Sequence, residues 1–346
     1  MNNQIYLEKG EKTMKKIIAM VLALVLVLSM AACGTAQSGT STGGETVGTD
    51  GKVTIGICQF LPHPALDKAT EGFRDAVKAA MGENVTFDEQ NAAGEASNCA
   101  TIVNGFVASK VDLIMANATP AVAAAYNATE TIPILGTSVT EYGVALGIEN
   151  FSGTVGANVS GTSDLADLAL QAEMVTQWVP TAKKAGLLYC SAEANSKYQV
   201  NEVQKVLEGK GLECKQFAFA DTSDLMAVTT AAAEYADVIY VPTDNTVANN
   251  ATAIDSICRP ARVPIIAGEA GICGGCGIAT MSIDYYDLGY KTGEMAVQIL
   301  KDGADITKMP IEYTPAEKVS YLYNEEICTE LGIKPLEGYE KLAVAE

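Results

Sequence analysis

The chain has 346 residues, of which 23 are Lys or Arg and 42 are Asp or Glu, so its formal net charge is −19 at pH 7. Nucleic-acid binding depends mostly on Lys and Arg that neutralise phosphates, so this charge disfavours a nucleic-acid partner. The length suits one large α/β unit or two lobes of ordinary domain size, with enough chain to bury a core.

The first feature in chain order is an export signal that ends at a cysteine. Lys15 and Lys16 precede an unbroken run of apolar and small residues from Ile17 to Ala32, and Cys33 follows. A basic start, an apolar centre and small residues before a cleavage point are typical of secretory signals. The run is too short for a comfortable membrane span, which needs about 20 residues. We therefore predict that residues 1–32 are a signal peptide and that the protein works outside the cytoplasm.

The residues around Cys33 also predict how the protein is held. Ala31-Ala32-Cys33 resembles the lipobox of bacterial lipoproteins, in which the cysteine carries a lipid and becomes the mature N-terminus. An ordinary secretory signal cut near Ala32 is the alternative. Residues 33–51 are rich in Gly, Ser and Thr without apolar periodicity, which predicts a flexible tether. Together these features predict a folded domain anchored to the cell membrane through Cys33.

Translation is predicted to start at Met14 rather than at Met1. Residues 8–11 (EKGE) back-translate naturally to an A/G-rich string that looks like a ribosome-binding site a few nucleotides before the Met14 codon.

From Lys52 onward, short β-branched runs alternate with Ala-rich helical stretches. Strands are predicted at 53–58, 85–87, 112–116 and 132–136, and again at 185–190, 213–220, 237–241 and 263–268. The intervening helices are predicted over 64–81, 95–109, 120–129, 164–177, 196–209, 223–235 and 246–258. Apolar strands separated by helices predict βαβ units and parallel sheets covered on both faces. Two such series, separated near 153–162, predict an α/β protein with two Rossmann-like lobes rather than one sheet.

The residues that follow the predicted strands are the candidate ligand-binding residues. In open α/β sheets the ligand lies outside the carboxyl ends of the strands, so two facing lobes would enclose one cleft. The candidates are Gln59, Phe60, His63, Thr119, Thr137, Ser138, Tyr142, Ser191, Asn195, Ser196, Asp244 and Glu269. Helix N-termini and hydroxyls favour an anionic group there, and Asp244 offers a partner for an ammonium group. The set suits a zwitterionic ligand, although plain helix capping would explain any single member.

Several enzyme and cofactor classes lack their motifs. The first strand continues into CQFLPH rather than a Gly-x-Gly-x-x-Gly turn, and no GxxxxGK[ST] segment occurs. His63 is the single histidine, so a histidine-based triad or multi-histidine metal centre has little to work with. Cys273 and Cys276 form a C-x-x-C pair in a predicted loop. A redox pair or half of a metal site is possible chemistry for it, but a structural disulfide or two inert thiols is favoured. We predict no enzyme activity, cofactor or metal.

Several segments together resemble one family of transport proteins. They are VTIGICQFLPHPALDKATEGF (53–73), NATPAVAAAYNAT (117–129), SGTSD (160–164), LYCSAEANSKYQV (188–200), DVIYVPTDNTV (237–247) and IATMSIDYYDLGYKTGEMA (278–296). They resemble the ABC-transporter solute-binding lipoproteins associated with tryptophan/tyrosine uptake, over essentially the whole mature chain. The resemblance implies the type I periplasmic-binding-protein fold, in which two α/β lobes joined by three crossing segments close on a ligand. It also implies an ABC permease and its ATPase as partners of a monomeric binding protein.

The resemblance further implies domain bounds, and the residue types that follow the predicted strands suggest their roles. Lobe 1 would hold 52–160 plus 285–310 and lobe 2 would hold 161–284 plus 311–346, with crossings near 159–163, 282–285 and 306–320. Thr119, Thr137 and Ser138 would hold the ligand carboxylate and Asp244 its ammonium group, while Ser191, Asn195 and Ser196 would close from lobe 2. Phe60 and Tyr142 would contact an aromatic side chain. His63 either contacts the ligand or only precedes the helix that begins at Pro64.

The favoured ligand is an amino acid, with an aromatic one such as tryptophan or tyrosine first. A nucleoside- or sugar-binding lipoprotein of the same fold is the alternative, as is a ligand-sensing receptor domain. Sugar sites usually display several aromatic platforms and many Asp, Asn and Arg groups, whereas this chain contains only Arg74, Arg259 and Arg262.

Overall fold

In the computed structural model, which describes residues 52–343, the chain forms two mainly parallel β-sheets with helices packed on their faces. The predicted α/β class with two Rossmann-like lobes is confirmed. The predictions for the signal peptide, Cys33 and the tether lie outside the described residues. Within residues 52–343, no helix is long and apolar enough to cross a membrane.

The first sheet has six parallel strands, which are β1 (Val53–Gln59), β2 (Val85–Asn91), β3 (Leu113–Asn117), β4 (Ile134–Val139), β5 (Val159–Ser163) and β11 (Glu312–Tyr313). Their order across the sheet is β11-β5-β4-β3-β1-β2. Its helices are α1 (Pro64–Met81), α2 (Ala96–Ser109), α3 (Thr119–Ala128), α4 (Tyr142–Leu146) and α11 (Tyr285–Leu300). Strands β3, β4 and β5 are buried along their whole length, as expected for a parallel sheet covered on both faces. We call this unit lobe 1.

The second sheet has seven strands, which are β6 (Lys184–Cys190), β7 (Glu213–Phe219), β8 (Val238–Val241), β9 (Ile265–Ala267), β10 (Ala279–Ser282), β12 (Ser320–Tyr323) and β13 (Glu340–Lys341). Their order across the sheet is β13-β12-β10-β9-β8-β6-β7. Its helices are α5 (Leu168–Trp178), α6 (Ala194–Gly209), α7 (Thr222–Tyr235), α8 (Asn245–Asn249), α9 (Ala251–Cys258), α10 (Ala270–Cys276) and α12 (Glu325–Leu331). Strand β12 runs antiparallel to β10, and the other paired strands of this sheet are parallel. We call this unit lobe 2. Single 3₁₀ turns lie at Gly82–Asn84, Ile306–Lys308 and Ala316–Lys318.

Three crossing segments join the lobes, at residues 164–167, 283–284 and 314–319. The first begins later than the predicted 159–163, because those residues form β5 of the first sheet. Lobe 1 likewise extends beyond the predicted residue 310, since Glu312 and Tyr313 pair with Thr162 and Ser163. The Ser160 hydroxyl also donates to the carbonyls of residues 309 and 310, each at 3.1 Å. By sheet membership, residues 160–163 and 311–313 therefore belong to lobe 1.

Helix α11 follows the second crossing and packs closely on α1, which fixes it to lobe 1. A Cβ atom added at Gly289 would lie 1.9 Å from the carbonyl oxygen of Ala69, and one at Gly72 would lie 2.1 Å from that of Tyr286. These approaches are possible only because both positions lack a side chain. The two glycines therefore set the distance between α1 and α11.

Candidate functional site

The two lobes meet over a small enclosed space, which we call the polar cavity. Lobe 1 and the crossings contribute His63, Leu66, Ser138, Thr140, Asp164 and Tyr285, and lobe 2 contributes Asn195, Thr243, Asp244, Asn245, Ala248 and Glu269. Most of these residues follow the carboxyl ends of strands, where open α/β sheets bind ligands. Its volume of about 10 Å³ is room for roughly one water molecule. A larger ligand can therefore enter only when the lobes move apart.

A direct hydrogen bond closes the lobes over this cavity. His63 Nε2 of lobe 1 lies 3.1 Å from Asn245 Oδ1 of lobe 2. The Asn245 amide nitrogen donates to Glu193 Oε2 at 2.7 Å, which leaves its amide oxygen to face His63. Because that oxygen can only accept, the proton of this bond belongs to His63 Nε2. This hydrogen bond holds the two lobes together, and we call the pair of His63 and Asn245 the latch. Glu193 orients Asn245, the lobe 2 residue of the pair.

Three buried polar atoms on the polar cavity have no hydrogen-bond partner within the described structure. They are Ser138 Oγ, Asp164 Oδ1 and Asn195 Oδ1. Leaving a buried polar atom unpaired costs about 1–3 kcal/mol, so native proteins rarely collect several in one place without a use for them. Their concentration here, with one on each lobe and one in a crossing segment, indicates a ligand site.

Asp244, the predicted ammonium partner, is already occupied by backbone donors. It caps α8, where Oδ1 accepts from the Val247 N–H at 2.9 Å. Its other oxygen accepts from the Cys190 N–H at 2.7 Å. Burial, with the nearby charge of Glu193 as the next cause, raises the pKa of Asp244 to about 8. The Asp244 carboxyl group thus links the end of β6 to the start of α8 within lobe 2.

Glu269 has a similar capping role at the start of α10. Its carboxylate accepts from the Gly271 N–H at 2.6 Å and from the Ile272 N–H. Both carboxylate oxygens are therefore paired, although the residue borders the polar cavity.

Asp164 was not among the predicted residues, yet it is the carboxylate on the cavity with a free oxygen. The Tyr285 hydroxyl donates to its Oδ2 at 3.0 Å, and its Oδ1 has no partner. Burial raises the pKa of Asp164 to about 6, against the lowering effect of the Thr140 and Tyr285 hydroxyls, and Glu269 adds to the rise. The rule that selected the other candidates missed it, because residues 159–163 were predicted as a crossing segment and form β5 in the structure.

A larger cleft of about 940 Å³ lies beside the polar cavity. Residues that are adjacent in sequence line the two spaces: Pro62 and Thr246 line the cleft, and His63 and Asn245 line the polar cavity. Phe60 and Thr119 border this cleft, together with several alanines of α2 and α3. Its size is in the usual range of about 300–1,000 Å³ for small-molecule sites.

The backbone on the lobe 1 side of these spaces is strained. Ala118 has φ +87° and ψ 158°, and Ser138 has φ +53°. Non-glycine residues in such conformations cost on the order of 1–3 kcal/mol and cluster at functional sites. At Ala118 the conformation starts α3 so that Thr119 lies at its N-terminus beside the cleft, with a buried hydroxyl that has no partner in the described structure.

Tyr142 and Thr137 are buried in lobe 1 and line neither the polar cavity nor the cleft. The Tyr142 side chain is fully buried and its hydroxyl donates to the Thr162 carbonyl at 3.1 Å. The ring fits because Gly136 and Gly161 leave room; an added Cβ at either would lie within 2.5 Å of the hydroxyl. The Thr137 hydroxyl lies 3.3 Å from that of Thr162.

Three further predicted residues do not border the polar cavity or the cleft. The Gln59 amide donates to Asp67 at 2.7 Å and accepts from Thr70 at 2.7 Å, within lobe 1. Ser191 is exposed and donates to the Phe219 carbonyl. Ser196 is buried below Asn195, from which its hydroxyl accepts at 3.3 Å. Each pairs with protein groups that the sequence pattern did not reveal.

Cys273 and Cys276 lie in a helix rather than in the predicted loop. Both are free thiols in α10, whose N-terminus Glu269 caps. Cys276 Sγ donates to the Ile272 carbonyl at 3.4 Å, and burial raises the pKa of both thiols well above the usual value. Thiolate character is what makes cysteine reactive, so the pair has the properties of inert core residues.

The electrostatic character of the two spaces is acidic. Neither the polar cavity nor the cleft is lined by a Lys or Arg side chain, whereas both are lined by Asp and Glu. Such an environment favours a ligand with a positively charged group.

Two α/β lobes, three crossing segments and an enclosed polar site between the lobes define a two-lobed solute-binding protein. Residues 54–345 match the family described as ABC transporter substrate binding protein, and the chain belongs to this family. Proteins of this family act outside the cytoplasm as the ligand-binding partners of ABC transporters. The predicted family and protein class are therefore confirmed.

Among similar proteins is a tyrosine-binding protein from Clostridioides difficile (strain R20291), 35% identical over 327 residues, or 93% of this chain and 94% of that protein. A Streptococcus pneumoniae ABC domain in complex with L-Trp is 32% identical, with a TM-score of 0.78 over 83% of this chain and 96% of that one. A substrate binding protein with adhesive properties from Clostridium difficile, in a ligand-free, open structure, is 35% identical with a TM-score of 0.64 over 84% and 100%. At nearly equal identity and coverage, the whole chain superposes more closely on the L-Trp complex than on the ligand-free, open structure.

Proposed function

We propose that this protein is the binding lipoprotein of an ABC importer for an aromatic amino acid, tyrosine or tryptophan. The observation that carries the proposal is the acidic polar cavity with three unpaired oxygens beside a larger cleft that Phe60, Leu61 and several alanines line together with polar residues. An aromatic amino acid has an ammonium group for the first and a flat apolar ring for the second. The ligands named for the similar proteins, tyrosine and L-Trp, support the same choice.

In this proposal each part of the amino acid has its own surroundings. The ammonium group enters the polar cavity, where acceptors outnumber donors. The carboxylate lies at the N-terminus of α3, where the Thr119 hydroxyl is unpaired and the helix dipole favours an anion. The aromatic ring packs in the cleft beside Phe60 and Pro62.

Binding is coupled to closure because the ligand contacts both lobes. The open form exchanges ligand with solvent, and a ligand that bridges the lobes stabilises the closed form by its differential affinity. The latch between His63 and Asn245 then forms over the ligand. A membrane permease, energised by its ATPase, receives the ligand from the closed form.

We further propose that a lipid on Cys33 anchors a monomer to the outer face of the cell membrane. The basic start, the apolar run from Ile17 and the small residues before Cys33 support this assignment. The Gly/Ser/Thr-rich residues 34–51 would let the lobes reach a permease nearby.

A thermal-shift panel on the mature chain tests the ligand class. Tyrosine, tryptophan, phenylalanine, leucine, a nucleoside and a hexose are each added in excess. A ligand present at 100 times its Kd stabilises the folded form by about 2.7 kcal/mol, which raises the melting temperature measurably. We expect the largest shifts from tyrosine or tryptophan. A shift with the nucleoside or the hexose, and none with the amino acids, would refute the proposal.

A further inference from the structure

We propose that the ligand's ammonium group binds Asp164, rather than Asp244, and that this contact couples ligand binding to lobe closure. The inference rests on the proposed amino-acid ligand, and it assigns a residue that lies in the first crossing segment.

The hydrogen bonds of the other interlobe carboxylates leave Asp164 as the available one. Glu193 Oε1 accepts from the Thr246 N–H and hydroxyl, both at 2.8 Å, and its Oε2 accepts from the Asn245 N–H and amide. Asp244 and Glu269 each cap a helix with both oxygens paired. Asp164 is 6% exposed, and its Oδ1 has no partner. Of these four carboxylates, Asp164 is therefore the one with an oxygen that accepts no hydrogen bond, whereas a cation at Asp244 or Glu269 would share each oxygen with a backbone donor.

The unpaired atoms also match the chemistry of an alkylammonium group. Such a group has three N–H donors and no acceptor. The polar cavity has three buried oxygens without partners, one each on Ser138, Asp164 and Asn195. All three can accept a hydrogen bond, and Asp164 also supplies the negative charge. One ammonium group would therefore satisfy the three orphan atoms together.

The position of these atoms explains why the contact would favour closure. Ser138 belongs to lobe 1, Asn195 to lobe 2, and Asp164 opens the crossing at 164–167. Asp164 is also bonded to Tyr285, which follows the crossing at 283–284. An ammonium group at this point joins both lobes and two of the three crossings, so it binds the closed form better than the open form.

The titratable groups that line the cavity with Asp164 belong to four different elements. They are Tyr285 on α11, Glu269 at α10, Asp244 at α8 and His63 at the start of α1. Asp244 and Glu269 each hold backbone N–H groups, so Asp164 is the carboxyl group among them that meets the ligand with an unpaired oxygen.

The test removes the charge from the protein and the ammonium group from the ligand in turn. Calorimetry on the full mature chain measures the Kd of L-tyrosine and of 3-(4-hydroxyphenyl)propionate, which lacks the amine; L-tryptophan and indole-3-propionate are run in parallel. The wild type should prefer the amino acid by at least about 30-fold, as expected for a buried charge pair. Asp164→Asn should reduce this preference to about threefold or less. Asp244→Asn, the matched control, should retain at least about tenfold.

The outcomes separate this inference from the proposed function. A wild type that does not prefer the amino acid contradicts the proposed ligand itself. A wild type that prefers it, together with an Asp164→Asn variant that keeps the preference, overturns the assignment of Asp164 alone. If Asp164→Asn does not fold, Ser138→Ala serves instead. It should weaken amino-acid binding by about threefold to tenfold and leave the propionate unchanged. Equal weakening of both ligands would overturn the inference.

Discussion

The close packing of α11 on α1 predicts a large effect of a single methyl group. In Gly289→Ala the new Cβ would lie 1.9 Å from the Ala69 carbonyl oxygen, whereas ordinary contacts begin at 3.4 Å. The helices would have to part by about 1.5 Å, and overpacking of this kind costs about 1–3 kcal/mol. We expect a value of about 2–3 kcal/mol, because the obstacle is backbone and cannot rotate away. The melting temperature should fall by about 4–10 °C.

Gly105→Ala is the matched control for this prediction. Gly105 also lies inside a helix, α2, but it is exposed and an added Cβ would meet nothing within 4 Å. The same substitution should therefore stabilise the protein by about 0.4–1 kcal/mol, chiefly by restricting the unfolded chain. Thermal unfolding of both variants beside the wild type gives the two signs. A Gly289→Ala variant as stable as the wild type, or shifts of the same sign in both variants, would refute the packing argument.

Three other predictions concern the site and its surroundings. Because the pKa of Asp164 is raised to about 6, a proton must leave it before an ammonium group binds at lower pH. Tyrosine affinity measured by calorimetry should be level above about pH 7 and fall by up to about tenfold per pH unit below about pH 6; a level profile down to about pH 5 contradicts this. Tyr142→Phe should lower the free energy of unfolding in urea by about 1–2 kcal/mol, since the Thr162 carbonyl loses its buried donor, with tyrosine affinity unchanged; weaker ligand binding at unchanged stability would return Tyr142 to the site. A thiol reagent should modify the partly exposed Cys214 in the native protein but Cys273 only after unfolding; native modification of Cys273 would contradict its inert role.

The alternation of apolar strands and helices was enough to predict the fold class. Each run such as 112–116 or 237–241 is apolar on both faces, and that pattern occurs where a parallel sheet is covered on both sides. The edges of the lobes were harder to place. Residues 160–163 are small or polar, and they belong to the first sheet with residues 312 and 313, which pair with residues 162 and 163 across about 150 residues of sequence. Such long-range pairing leaves no local pattern.

The site was partly accessible from the sequence because post-strand positions converge at the carboxyl edge of a parallel sheet. That rule selected His63, Ser138, Asn195, Asp244 and Glu269, which border the polar cavity in the structure. It could not tell which carboxylates have their oxygens already paired, because a helix-capping carboxylate and a ligand-binding one occupy the same position after a strand. One donor to Asp244, the Cys190 N–H, also lies 54 residues away in sequence.

Tyr142 and Asp164 show two reasons why some site residues could not be predicted from the sequence. Tyr142 follows β4 and is aromatic, so it looked like a ligand contact, but two glycines on neighbouring strands open a core space that its ring fills. Asp164 directly follows residues 159–163, which were expected to serve as a crossing segment and not as a strand. Its role depends on Tyr285, which lies 121 residues further along the chain.

Calorimetric titration of the mature chain with L-tyrosine and L-tryptophan tests the central claim most directly. We expect saturable binding of at least one of them with one ligand per chain. Its affinity should be at least about tenfold above that for leucine, since an aromatic ring buries more apolar surface beside Phe60 than a leucine side chain does. Saturable binding of a nucleoside or a sugar, with no heat of binding from either aromatic amino acid, would contradict it.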